Sequence, residues 1–309
     1  MTETTQPVPV RRRRRRRRRN YKPLILLLAL VLIGLVIWGI CLLAGSKKDD
    51  PPEPTVPAVT TAPTQTTTQP PEPTIPEPTE PPRELTPEEK IAAFAAEHGL
   101  TMEDYPEKLV LMLTRNPETE EYVLNYPLEY GKEHEIDISG YKDYEGVPLF
   151  IQWDKQWGYI DYVGNQAGLS GCGPTCLSMI AYHYTRDPSM TPAYMMEYAE
   201  KNHYGVAGSG TQWSLFGQGA EKLGLTEREC TSEEIESEAK LAKILNSGKL
   251  IVANVGPGVF TEIGHYIVLV GYEDGKFQIN DPNSYANSAK MWEFEEFSDQ
   301  IKMMWAISG

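Results

Sequence analysis

Residues 170–184, SGCGPTCLSMIAYHY, decide how the rest of the chain is read. Glycines flank Cys172, and Pro174 stands where a proline suits the first turn of a helix. Apolar residues continue through Tyr184, so the helix begins at or beside the cysteine. At a helix start the N–H groups lack intrahelical partners and the positive end of the dipole favours an anion. A sulfur there is drawn toward the thiolate, the form that attacks carbonyl carbon. Cys176, one turn later among apolar neighbours, has instead the setting of a buried structural thiol. Cys172 is the candidate nucleophile.

A nucleophile of this kind needs a base, and the chain holds five histidines. His98 and His134 fall in a region with no other chemistry. His183 rides the same helix eleven residues beyond Cys172, about 16 Å away at the helical rise, and cannot reach it. His203 follows a helix in a glycine-rich loop and is the fallback. His265 opens the apolar run HYIVLVGY after Gly264 and is the leading base.

The group that orients His265 depends on strand register. The runs His265–Tyr272 and Lys276–Asn280 read as a hairpin closed by Glu273-Asp274-Gly275. A three-residue loop with a left-handed Gly275 sets Asp281 on the His265 face. A two-residue Asp274-Gly275 turn sets Asn280 there instead and Asp281 behind. An ionised partner also stabilises an imidazolium, which favours Asp281, with Asn280 as the alternative. A tetrahedral oxyanion would draw on the Cys172 backbone N–H and on an upstream glutamine, with Gln152 and Gln166 both available.

Outward from this centre, the segment VPLFIQ (147–152) reads as a short strand. Helices are expected near 195–202, 212–223, 234–245 and 293–301, and strands over 250–255, 265–272, 276–280 and 303–307. Helices followed by an antiparallel sheet make the fold class α+β. Upstream, Thr86-Pro87-Glu88-Glu89 is a capping box that opens a helix ending at Gly99. Two further helical stripes come after it, one through Leu109, Met112 and Leu113 and one through Tyr122, Val123 and Tyr126. Residues 88–146 are thus expected to be a helical spacer or pro-segment packing on a domain at 147–309.

The N-terminal third is a different kind of polymer. Nine consecutive arginines (11–19) precede residues 24–44, a run of 21 residues without a charge. A helix of that length spans the roughly 30 Å hydrocarbon core of a bilayer. Basic residues beside a span are retained inside, so residues 1–23 are expected to be cytoplasmic, residues 24–45 a transmembrane helix, and the remainder extracellular. The run is too long for the core of a signal peptide, and arginines next to a span are topogenic or meet anionic headgroups rather than nucleic acid. Residues 46–87 carry 13 of the 25 prolines and 10 threonines. Such a segment cannot bury a core and reads as an extended, disordered linker, able to reach about 130 Å at most.

Beyond residue 45 there are 19 Lys and Arg against 42 Asp and Glu, a net charge of −23. So acidic a surface argues against nucleic acid or anionic polymers as partners. Four cysteines in 309 residues exclude a disulfide scaffold, and their spacing is not that of a zinc site.

The blocks QWDKQWGY (152–159), SGCGPTCLSMI (170–180), GHYIVLVGY (264–272) and QINDP (278–282) together resemble the papain-fold cysteine peptidases related to bacteriocin-leader-processing proteases, the C-thirty-nine-like group. The resemblance covers residues 147–309. It implies a papain-like fold, with Cys172 as nucleophile, His265 as general base and acid, Asp281 as orienter and a glutamine at the oxyanion. The strand-end position matches Gln152, and the papain-type spacing of six matches Gln166. No transporter span or ATP-binding motif follows, so coupling to export is not implied. Cys176, often a small residue in relatives, could pair with Cys230.

The resulting expectation is a membrane-tethered extracellular cysteine peptidase or amidohydrolase acting on peptide, protein or cell-wall peptide, with no metal or organic cofactor. The alternatives are a catalytically inactive surface binding or adhesion module on the same fold, and an acyl transferase.

Overall fold

The computed structural model describes residues 83–309. The arginine tract, the apolar run 24–45 and most of the linker 46–87 lie outside the described residues. Among the described residues no helix is long and apolar enough to cross a membrane.

The first layer is a trio of helices: α1 (Pro87–His98), α2 (Glu107–Arg115) and α3 (Glu120–Glu129). Thr86 caps α1, accepting from the Glu89 backbone while the Glu89 carboxylate accepts from the Thr86 N–H, and Gly99 ends the helix at φ 69°. The buried stripes of the three helices, among them Ile91, Leu109, Leu113, Tyr122 and Val123, do not close on one another alone. They share a core with Ile151, Trp153 and Tyr159. Two tyrosines tie the seam, Tyr122 donating to the Gly158 carbonyl at 2.8 Å and Tyr159 to the Tyr122 carbonyl at 3.0 Å. The three helices therefore pack directly onto the segment 151–159 rather than standing apart from it.

The central helix, α4 (Cys172–Thr185), is buried from Gly173 through Tyr182. A helix apolar on every side must be covered on every side. On one flank α5 (Pro192–Lys201) supplies Met195, Met196 and Ala199, and on the other lies a six-stranded antiparallel sheet. The strands are β1 (Thr226–Glu229), β2 (Leu250–Val255), β3 (His265–Glu273), β4 (Lys276–Asn280), β5 (Met291–Trp292) and β6 (Ile301–Ser308), in the spatial order β1-β6-β2-β3-β4-β5. Val252, Tyr266, Val268, Trp305 and Ile307 face α4. The alternate residues, including Ile251, Ile267, Leu269, Ile279 and Met304, face a second core covered by α6 (Glu238–Asn246) and Phe297. Burial on both faces explains why LIVANV and HYIVLV are apolar without alternation.

The α+β class and the four sheet strands expected from apolar runs are present, with several local corrections. VPLFIQ joins no sheet, and its last residue, Gln152, already belongs to a turn. Side chains meet its carbonyls instead: Tyr141 OH bonds Leu149 O, Asn280 Nδ2 bonds Pro148 O and the Trp157 indole bonds Ile151 O. The expected helix at 212–223 breaks at Gly217, whose ψ of −107° is not helical. The one at 234–245 divides into a turn at Ser232–Ile235 and α6, and the one at 293–301 is two 3-10 turns. Strand β1, TERE, has no apolar pattern, because it is an edge strand whose Arg228 and Glu229 face water. Cys176 and Cys230 lie in the two cores on opposite faces of the sheet, so both are free thiols and the pairing suggested for them does not form.

Candidate active site

Cys172 is the first residue of α4, directly after Gly171. The helix start is pressed against the loop carrying Thr211. A Cβ on Gly173 would come within 2.7 Å of the Thr211 Cβ, so the residue after the cysteine has no room for a side chain. Tyr266 and Tyr162 hold that loop, donating to Thr211 O at 2.9 Å and pairing with Thr211 Oγ1 at 2.8 Å.

His265 begins β3 and is paired with Val255 of β2. Its Nε2 lies 2.7 Å from Asp281 Oδ1, and both side chains are buried. Cys172 is near enough to the imidazole to act on it electrostatically, and Nδ1 is the ring nitrogen that Asp281 leaves free. Burial pulls the imidazole pKa down. The Asp281 charge and hydrogen bond, helped by the Cys172 sulfur, outweigh that and raise it to about 10. The carboxylate thus favours the protonated ring.

Asp281 is fully buried and fully bonded. Oδ1 accepts from His265 and from the Asn283 N–H at 2.8 Å, Oδ2 accepts from Asn287 Nδ2 at 2.7 Å, and the Asp281 N–H donates to Ser288 Oγ at 2.9 Å. Asn280 is turned the other way, its amide donating to Pro148 O at 3.1 Å above the Met179 sulfur.

The route to this arrangement differs from the expected one. Glu273 pairs with Lys276, so the hairpin is the two-residue turn, with Asp274 and Gly275 both left-handed at φ 50° and 78°. Uninterrupted, that turn would bring Asn280 to the His265 face. The register shifts once, between Leu269 and Gly271, where Val270 is an extra residue in β3. Beyond this bulge Leu269 pairs with Ile279 and Val268 with Asn280, which restores Asp281 to the parity of Ile267 and His265.

The two glutamines separate. Gln152 is buried, its N–H donating to Pro282 O at 2.7 Å and its amide to Gly168 O at 2.6 Å, so it bridges the Asp281 turn and the turn before Cys172. Its Oε1 has no hydrogen-bond partner. Gln166 donates to the Tyr126 hydroxyl of α3 at 3.2 Å. Of the remaining thiols, burial raises the pKa of Cys176 well above the ordinary range and pushes that of Cys230 up to about 11, so both stay protonated. The exposed His203 bonds only through its backbone.

Sequence reasoning missed Asn287, Ser288 and Glu118 around Asp281. One signal was available. Asp281-Pro282-Asn283 is an Asx turn, in which the carboxylate accepts from the N–H two residues on. Nothing local marks the others.

A thiol at the start of a buried helix, facing an imidazole carried by an antiparallel sheet, defines a papain-type arrangement of helix and sheet. The chain belongs to the Peptidase C39 like family, whose model matches residues 144–309. Among solved structures it is similar to the peptidase domain of Streptococcus ComA, a bi-functional ABC transporter involved in a quorum-sensing pathway. That match has 24% identity over 45% of this chain and 89% of that one, with a TM-score of 0.34. It is also similar to a C39-like peptidase from Bacillus anthracis, at 18% identity over 54% of this chain and 96% of that one, with a TM-score of 0.37. No curated protein matches the chain.

Proposed function

We propose that the protein is a thiol hydrolase cleaving peptide or amide bonds, tethered to a membrane by residues 24–45 with residues 46–309 on the outer side. The observation that carries the catalytic reading is the bond from the His265 imidazole to the buried Asp281 carboxylate, with Cys172 near enough to raise the pKa of that imidazole. The tether and its direction rest on the uncharged run of 21 residues following nine arginines.

In this mechanism Cys172 Sγ attacks the scissile carbonyl carbon as a thiolate. The oxyanion is met by the Cys172 backbone N–H, left without a helical partner, and by the second N–H of the Gln152 amide. The C–N bond breaks as His265 gives its proton to the leaving amine, which leaves a thioester on Cys172. Water then attacks the thioester, His265 takes its proton, and the acid departs to regenerate thiolate and imidazolium. Asp281 holds the ring's orientation through both halves and stabilises the imidazolium whenever it forms.

Incubating the full-length protein in detergent with purified cell wall and with a peptide library, and weighing the products, tests the activity. New masses that differ from substrate by water at one bond support hydrolysis. Tight binding without cleavage would instead favour a binding module, and conjugates with an added amine would favour acyl transfer. Gln152→Ala is expected to lower turnover by about 10²–10³-fold, the effect of losing one oxyanion donor, whereas Gln166→Ala leaves it within about twofold. Equal effects of the two substitutions would remove Gln152 from the oxyanion role.

A further inference from the structure

The turn joining α2 to α3 reaches across to the loop that carries Asp281. Glu118, in that turn, accepts from Ser284 Oγ, from the Tyr285 N–H at 2.7 Å and from the Ala286 N–H at 3.4 Å. Asn116 donates to the Asn283 carbonyl at 2.6 Å, joined there by the Trp153 indole at 3.1 Å. Arg115 adds an ion pair at 2.7 Å to Glu262, in the loop just before His265. That pair is exposed and contributes little by itself.

The helix Tyr285–Ala289 has five residues, too few to hold its shape unaided. Its first N–H groups find their acceptor in Glu118, a residue 167 positions earlier in the chain. The same helix holds Asn287, whose amide is the partner of Asp281 Oδ2 at 2.7 Å, and Ser288, which accepts from the Asp281 N–H. A buried carboxylate oxygen without a donor is costly, so freeing Asn287 would let Asp281 rotate and loosen its grip on His265. One continuous path of hydrogen bonds thus runs from Glu118 through Ser284 and Asn287 to Asp281 and the imidazole.

We propose that Glu118 is a positioning residue for the His265–Asp281 pair, which makes the helices over residues 87–129 part of the working unit rather than a removable pro-segment. This rests on the reading of Cys172, His265 and Asp281 as the reacting set. Glu118 touches no reacting atom and acts only through the 284–288 turn.

The test is the pH profile of Cys172 alkylation by iodoacetamide in the full-length protein, which needs no knowledge of the substrate. In wild type Cys172 is expected to react faster at pH 5 than an unpaired thiol does. Glu118→Ala should lower the rate at pH 5 about tenfold as the imidazole's hold on the sulfur loosens. Asn287→Ala should do the same, and the double variant should lose no more than the larger single loss, because both act on one path. Glu118→Gln, which keeps an acceptor oxygen, should recover part of the loss. A wild-type alkylation profile in Glu118→Ala and Asn287→Ala, with only the melting temperature lowered, would make the contact merely structural and overturn the inference; if Glu118→Ala failed to fold, a wild-type profile in Asn287→Ala would do so alone. A wild-type protein with no reactivity below pH 7 would instead overturn the reading of the reacting set itself, so the two failures are distinct.

Discussion

Cys172→Ala is expected to reduce hydrolysis by at least about 10³-fold while leaving the melting temperature nearly unchanged. The sulfur is half-buried at a helix start, at the edge of the α4 core rather than inside it, so its removal opens little cavity. The other two thiols of the described residues give the experiment an internal control. Cys176 sits wholly inside the α4 core and Cys230 under the opposite face of the sheet, and burial holds both protonated. In the native protein a thiol reagent should therefore modify Cys172 and spare Cys176 and Cys230, as peptide mapping of the labelled protein would read out. Hydrolysis that survives Cys172→Ala, or labelling of Cys172 only after denaturation, would end the thiol mechanism.

The second large effect is expected at Asp281. Asp281→Asn keeps the shape but removes the charge, and it can offer His265 an N–H where an acceptor is required. A loss of about 10²–10⁴-fold in turnover is expected if the imidazole then takes the wrong tautomer or loses its proton. The same substitution has a pH signature. The folded-state pKa of His265 is raised to about 10, above the ordinary value near 6.5 for an unfolded histidine. Between those values the folded protein retains a proton that the unfolded chain has released, so stability falls as pH rises. The pair's contribution is complete below about pH 6.5 and is lost as pH passes through about 10. The stability difference between wild type and Asp281→Asn, measured by denaturant titration, should accordingly be widest near pH 6 and narrow toward pH 10. A difference that stays constant across that window would mean that His265 is not held as an imidazolium by this carboxylate.

These two variants bear on whether the cluster reacts; the Glu118 path bears on what holds it in place. The helices before residue 130 bury their stripes against Ile151, Trp153 and Tyr159, and Trp153 itself bonds the Asn283 carbonyl beside Asp281. Removing them would strip the wall from the segment that carries Gln152 as well as freeing the 284–288 turn.

Much was legible without coordinates wherever the informative contacts are local. The glycine and proline around Cys172, the capping box at Thr86 and the unbroken apolar runs of β2 and β3 each constrain a few neighbouring residues, and short-range sterics and periodicity suffice to read them. The α+β class comes from the same runs. Three things needed the folded chain. Side-chain satisfaction kept VPLFIQ out of the sheet, because its carbonyls found Asn280, Tyr141 and Trp157. Packing of α4 on one face of the sheet, with Cys230 under the other, set Cys176 and Cys230 apart. A single unpaired residue, Val270, returned Asp281 rather than Asn280 to the histidine, although the turn itself has the length that would have done the opposite. A side chain's face in a strand reverses with every added residue, so one bulge outweighs the turn, and bulges are set by how two strands meet a core rather than by any pattern along one of them. Glu118 is the extreme case, since its partners lie more than 160 residues away and only the closed fold brings them within a hydrogen bond.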